Sequence, residues 1–341
     1  MASESVVDSF RPVEMSTDVV STDSSKTRTL PDLGTIDIRQ AGWVILDVFV
    51  SGRYCKYVRN LPQSPWIIDG VRKCESSVQE LIGPILAAHF VADSYKFMAS
   101  GREDVDVRML GRGRPFIVEL INTHRPHLSE KQYAAIQKEI NQKSAGKIRI
   151  LDLQQVSDKD TETLKHGEEF KEKSYQCVLW MPEPVERERL ESLSQTPEFE
   201  IEQLTPIRVL HRRSLCSRKR KISKMSFTYI NSHYALLDIK TQAGTYIKEF
   251  VHSDLGRTRP SLGDLLGQDV QILYLDVTEV ELDFPKKLEN EEEPVSNAGT
   301  ILDSIDLNSV PSITCADGSK SPSFQPSPPP QNAHQCSPLL S

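Results

Sequence analysis

Between residues 41 and 285 strand-like segments outnumber helical ones, and the two kinds do not alternate regularly. That pattern excludes a doubly wound parallel sheet and points to an α+β domain. GWVILDVFVSGRY, RPFIVELIN, KIRILDLQQV, SYQCVLWMPEP and DVQILYLDVTEVEL all read as strands. ESSVQELIGPILAAHF places Val78, Leu81, Ile82 and Leu86 at helical spacing, with Pro84 as a kink, and SEKQYAAIQKEINQ reads as a short helix capped by Ser129. YALLDIKTQAGTYIKEFVHSDLG reads as a strand, a tight turn at Gly244, and a helix ended by Gly256.

The two ends have a different composition. Residues 1–40 carry −3 and residues 286–341 carry −4 of the total formal charge of −7, so residues 41–285 are neutral. The tail holds eight of the 21 prolines, and both ends lack sustained periodicity. A disordered acidic leader over 1–40 and a disordered Pro/Ser-rich acidic tail over 286–341 are expected, with a short helical turn near Ile301–Leu307 as an option. No window approaches eighteen uncharged apolar residues, and the amino terminus has no apolar h-region, which argues against a helical membrane span and a secretory signal. The six cysteines form no C-x-x-C pair, so reduced thiols in an intracellular protein are expected, without a zinc ribbon. P-loop, G-x-G-x-x-G, H-E-x-x-H and G-x-S-x-G motifs are all absent.

Four clusters can carry chemistry. Ser100 to Arg108 (SGREDVDVR) packs Glu103, Asp104 and Asp106 between Arg102 and Arg108. If extended, the segment would present Asp104, Asp106 and Arg108 on one face and anchor Val105 and Val107 in the core. A carboxylate held by guanidinium groups stays ionised and can act as nucleophile or base; a surface ion-pair network that shapes a turn is the alternative. RVLHRRSLCSRKRKISK (208–224) holds five arginines and three lysines without an acid, which suits polyphosphate, a nuclear-localisation patch or a solvated helix face. AGTYIK (243–248) places Tyr246 on a glycine turn beside Lys248, where the ring could stack on a base and the ammonium could balance a carboxylate; a core tyrosine and a solvated lysine are the alternative. GRYCKYVRNLPQSPW (52–66) interleaves Arg53, Lys56 and Arg59 with aromatics, as a looped-RNA surface or a loop packed by its own rings.

In this order, GREDVDVRMLG, EKSYQCVLW, TPIRVLHRR, AGTYIKEFVHSDLGRTRPSLGDLLG and DVQILYLDV resemble the catalytic module of pseudouridine synthases. Within that superfamily they are similar to the Pus-Ten family of tRNA pseudouridine synthases, over about residues 45–285. The resemblance implies a long mixed, mainly antiparallel sheet with flanking helices and a central basic cleft into which the target nucleotide is flipped. It implies Asp104 as nucleophile, Lys248 as its basic partner, Tyr175 stacked on the target uracil, Tyr246 as a second substrate contact, and Leu265 or Leu266 as an apolar floor. RNA contacts are expected from Arg53, Lys56, Arg59, Arg102, Arg108, Arg212, Arg213, Arg218, Arg220 and Arg257. The implied activity is conversion of U54 and/or U55 in the TΨC arm of tRNA. Family members also carry an amino-terminal domain with zinc-binding cysteine pairs and a THUMP region; neither is evident here, so the likeness is to the catalytic half.

The chemistry agrees with this reading. Isomerising uridine breaks a glycosidic bond and remakes it at C5 without redox change or hydrolysis, so no metal and no cofactor are expected. The expected partner is tRNA, with other structured RNAs as further candidates. A monomer resident in the nucleus and/or cytoplasm is expected. The rival reading is a non-catalytic RNA-binding adaptor that keeps the fold.

Overall fold

The computed structural model describes residues 46–289 and residue 301; the leader and the rest of the tail lie outside the described residues. The strands are β1 (Leu46–Lys56), β2 (Ile67–Ile68), β3 (Val71–Arg72), β4 (Ala92–Ala99), β5 (Arg108–Thr123), β6 (Ile148–Val156), β7 (Lys173–Trp180), β8 (Phe199–Leu204), β9 (Ser217–Asn231), β10 (Tyr234–Thr241), β11 (Thr258–Arg259) and β12 (Gln271–Val280). The helices are α1 (Val78–Phe90), α2 (Glu130–Lys143), α3 (Asp160–Phe170), α4 (Arg187–Ser194), α5 (Ile247–His252) and α6 (Leu262–Leu266). Apart from the β2–β3 hairpin, the strands form one sheet in the order β11-β8-β9-β10-β7-β12-β5-β1-β6, with β4 also paired to β5. The expected α+β class with a large, mostly antiparallel sheet is what the chain forms.

Helix α1 shows how the sequence pattern becomes packing. Val78, Ile82, Leu86 and Phe90 recur every four residues, and all four are buried. Each contributes about 1.5–3 kcal/mol of gross burial. Ser77 caps the first turn by accepting from the Glu80 amide at 3.2 Å, and Val91 ends the helix in the left-handed region. Pro84 stands inside the helix. In α2, Ser129 and Gln132 form a reciprocal capping box. Among the described residues no helix is long and apolar enough to cross a membrane.

One join in the sheet matters for the site. Strands β5 and β12 run parallel, the one parallel pairing among the described strands, and the register covers only Asp276 opposite Arg108 and Val277 opposite Met109. Arg108 and Asp276 also join through their side chains, Nε and Nη2 donating to Oδ2 at 3.0 and 2.5 Å. Two antiparallel blocks therefore meet where the 100–107 loop enters β5.

Three local expectations need correcting. Residues 104–107 form a turn, closed by the Val107 amide donating to the Asp104 carbonyl at 3.1 Å, rather than an extended segment. Helix α5 ends at Ser253, in the left-handed region, three residues before Gly256. The basic run is not a helix face: after the 3-10 turn Ile207–Val209 and a short connection it becomes strand β9.

Candidate active site

The 100–107 loop hangs from buried side chains. Its carbonyls at Ser100, Gly101, Asp104 and Asp106 accept from Arg114 Nη1 (2.7 Å), Gln63 Nε2 (2.9 Å), Lys56 Nζ (3.1 Å) and Arg59 Nη1 (2.7 Å). Beneath them Glu103 is buried and receives Tyr54 Oη at 3.0 Å and Arg114 Nε at 2.8 Å, with Lys56 Nζ at 3.8 Å. Tyr54 and Arg114 are cross-strand partners between β1 and β5, so the sheet register brings both to Glu103. Gly101 has φ +79, and a Cβ there would lie 3.1 Å from Lys173 Nζ and 3.3 Å from Arg114 Nη1. A loop whose carbonyls are individually bonded is pre-organised.

Above this base Asp104 meets two cations. Arg208 Nη1 donates to its carboxylate at 3.3 and 3.0 Å, and Lys248 Nζ lies 3.4 Å from Oδ2. Lys248 also donates to Asp106 at 2.8 and 3.0 Å. Both aspartates thus converge on one ammonium through the turn, not through strand alternation. Asp104 keeps 31% of its side chain exposed and Lys248 21%, so an incoming group can reach the carboxylate. Burial alone would raise the Asp104 carboxyl, but Arg208 and Lys248 outweigh it and hold the group below its ordinary range. It is ionised at neutral pH.

Arg208 is in turn positioned by Glu249, which is buried and accepts Arg208 Nε at 2.6 Å. The Arg208 guanidinium lies 5.8 Å from the centre of the Tyr246 ring. Tyr246 itself is gripped by Gln203, whose amide accepts from the Tyr246 N–H at 2.9 Å and donates to its carbonyl at 3.0 Å. Gly244, at φ +76 with the Arg220 guanidinium 3.2 Å from any added Cβ, allows the turn. Tyr175 sits half-buried on β7 against the core, and burial pushes its phenol up to about 12. Leu265 and Leu266 also pack half-buried against the core from α6. Arg59, which binds the Asp106 carbonyl, also donates to Leu275 O of β12 at 2.9 Å and so ties the loop to that strand.

Five of the ten expected RNA contacts instead hold the protein together. Arg53 is 2% exposed and donates to the carbonyls of Arg112, Gly113, Val280, Leu282 and Phe284 at 2.7–3.3 Å. Burial, with Arg112 nearby, lowers it to about 10. Lys56 is fully buried under the loop. Arg108 and Arg59 both pair with the buried Asp276, Arg59 Nη2 to Oδ1 at 2.8 Å. Arg257 donates to Thr205 O at 2.7 Å and lies 3.6 Å from Asp254. The chain's own carbonyls and carboxylates already hold these cations.

The other five stay accessible. Arg102, Arg212 and Arg213 are exposed. Arg218 and Arg220 share one face of β9, and the buried Arg220 Nε has no hydrogen-bond partner among the described residues. Lys219 and Lys221 point the opposite way and pair with Glu200 and Glu198 at 3.6 and 2.6 Å. Sequence reasoning missed Arg208 as the partner of Asp104, and with it Glu249, Glu103, Gln203 and Asp276. Arg208 opened the basic run and so read as one phosphate ligand among eight.

Fold and site together define an α+β domain built around an ionised, doubly paired aspartate at the seam of its sheet. The family model described as “Pus10, C-terminal” matches residues 49–281, and the chain belongs to that family. Over 243 residues it is 50% identical to the protein named tRNA pseudouridine synthase Pus10 of Homo sapiens, covering 71% of this chain and 46% of that protein. It is 39% identical over 236 residues to the protein of the same name from Thermofilum pendens (strain DSM 2475 / Hrk 5), covering 69% of this chain and 52% of that one. The chain spans about half the length of these relatives. Among solved structures, one titled “Crystal Structure of a Cbf5-Nop10-Gar1 Complex” aligns with a TM-score of 0.37 and 18% identity, over 67% of this chain and 48% of that one, too loosely to carry an argument.

Proposed function

We propose that this chain is the catalytic domain of a tRNA pseudouridine synthase, with Asp104 as nucleophile and uridines 54 and/or 55 of the TΨC arm as targets. The observation that carries the reading is Asp104 itself: ionised, part-exposed, and fixed between Arg208 and Lys248 on a loop whose carbonyls are individually bonded. The relatives' names supply the substrate class.

The Asp104 carboxylate attacks ribose C1′ or uracil C6, and the N1–C1′ bond breaks. The detached base turns, C5 bonds to C1′, and the enzyme oxygen leaves. C5 gives up its proton and N1 gains one, so atoms balance with no oxidant, hydrolysis or added group. Lys248 and Arg208 keep the nucleophile ionised and oriented, and Tyr175 offers a ring face on which the base can turn. Asp106 lowers the net charge around Lys248. Arg102, Arg212, Arg213, Arg218 and Arg220 hold phosphates.

The test is a single-turnover reaction of the full chain on unmodified tRNA transcript, mapping pseudouridine at each T-arm position. Asp104→Asn should abolish turnover and leave tRNA affinity nearly intact, because the amide is isosteric but not nucleophilic. Substantial residual turnover would transfer the role to Asp106. Tight binding by a wild type that makes no pseudouridine would favour the adaptor reading.

A further inference from the structure

A base leaving a folded RNA loop opens a gap in the stack, and the stack recloses unless something fills it. Proteins that hold such gaps open use a rigid apolar side chain flanked by cations. Leu255 meets that description. At 88% exposure it is the most exposed large apolar residue among those described.

A leucine in water on a loose loop would be unremarkable. This one stands on a fixed turn. Ser253, Asp254 and Leu255 have φ of 64, 52 and 57°, followed by Gly256 at 78°. Three successive non-glycine residues in the left-handed region persist only where the surroundings over-determine them. Here Thr258 N donates to Ser253 O at 3.0 Å and Arg257 N to Asp254 O at 3.2 Å. The Asp254 carboxylate, nearly buried, accepts from Ile207 N at 3.1 Å.

That last bond locates the turn. Ile207 immediately precedes Arg208, which holds Asp104, so the leucine and the nucleophile are referenced to one short segment. Leu215, 77% exposed, and Leu210 are further exposed apolar side chains on the stretch that follows Arg208. Arg212 and Arg213 stand on that stretch, residues 207–224 contain no acid, and the Arg259 guanidinium lies 3.1 Å from any Cβ added to Gly256, the residue after Leu255. A stretch that carries cations and no acid suits a polyanion better than a protein surface of mixed charge.

We infer that Leu255 inserts into the base stack of the RNA substrate beside the everted uridine and holds the vacated step open. The inference rests on the proposed RNA chemistry, so its test separates the two. The full chain carries Leu255→Ala or Leu255→Phe. Its substrates are a tRNA transcript and a short unpaired oligonucleotide with the same target uridine. A second assay, in the Asp104→Asn background, follows a fluorescent purine analogue placed beside the target in the tRNA.

Leu255→Ala should lower kcat/KM on tRNA by about tenfold or more, leave the oligonucleotide within about twofold, and abolish the fluorescence rise. Leu255→Phe should keep both readouts near wild type. Thermal unfolding of the two variants should match wild type, because an exposed side chain holds nothing together. Wild-type behaviour of Leu255→Ala on tRNA, or equal losses on both substrates, overturns the inference and gives the patch to a protein partner. A Leu255-dependent fluorescence rise without any pseudouridine would sink the synthase reading and still support insertion.

Discussion

Two cations beside one carboxylate create a trade-off, since they keep Asp104 ionised but draw charge from the oxygen that must attack. Removing one should therefore show first in the pH profile. Asp104 is held below its ordinary range in the fold, so its ionised form is present above that value and lost as pH falls through it. Arg208→Gln removes the larger of the two attractions and should move the acid limb of kcat/KM to higher pH; Arg208→Lys keeps the charge and should leave the limb in place while lowering kcat, because the fork that also grips Glu249 is gone. A limb that does not move with Arg208→Gln would mean that Asp104 is not the titrating group. The tyrosines separate by ring and hydroxyl. Burial keeps the Tyr175 phenol protonated through the working range, so Tyr175→Phe should retain most activity and Tyr175→Leu should cost about 1–3 kcal/mol of stacking in single-turnover rates. Tyr246 meets Arg208 with its ring, so it too should tolerate Phe and not Leu. At this scale the Asp104–Lys248 pairing and the Gly244 turn beneath Tyr246 were legible because a carboxylate run and a glycine-aromatic turn are local patterns. Arg208 was not, because the pair it makes spans 104 residues and nothing local distinguishes it from its basic neighbours.

Elements explain why a functional loop can be short and still rigid. Strand β1 sends Lys56 to the seam, β5 sends Arg108 and Arg114, Arg59 follows from the loop after β1, and the buried carboxylates Glu103 and Asp276 collect them. Asp276 accepts from Arg108 and faces Arg59, so Asp276→Asn leaves two guanidinium groups without a counter-charge in the sheet interior. Unfolding in denaturant should show a loss of about 3–5 kcal/mol, the usual cost of breaking a buried pair from one side. A loss under about 1 kcal/mol would mean that water screens the seam. Lys173 offers a second check under the same loop. Burial, reinforced by Arg114, lowers its ammonium to about 8, so the unfolded chain binds more protons between about 8 and its ordinary value. Wild-type stability should gain on that of Lys173→Met as pH rises through this window, and parallel curves would show that Lys173 is solvated. Helix α1 and strands β1, β5, β6, β7, β10 and β12 were readable because apolar spacing fixes them. Strands β4, β8 and most of β9, with helices α3 and α4, were not, since their faces are polar and their pairing partners lie far along the chain. The same limit hid the internal partners of Arg53, Lys56, Arg59 and Arg108: basic residues among aromatics look alike whether they face phosphate or the chain's own carbonyls.

For the whole molecule, the net charge of −7 says little about what the described part binds, because residues 41–285 are neutral and their cations are unevenly placed. Within 208–224 the sheet divides the run by parity. Arg218 and Arg220 share the face of β9 on which Arg220 lies against the Gly244 turn, whereas Lys219 and Lys221 face away and are paired with Glu200 and Glu198. If RNA follows the first face, counterion release should track those arginines and not the lysines. Log–log plots of tRNA affinity against salt should then lose roughly 0.7–0.9 of slope for each phosphate contact removed. A variant with Arg212, Arg213, Arg218 and Arg220 changed to alanine should flatten the plot by about three. Lys219→Ala with Lys221→Ala removes two charges from the same strand and should leave the slope nearly unchanged, since both lysines already have carboxylate partners. Equal flattening by the two variants would show that the RNA responds to overall charge and that the parity of β9 does not select its path.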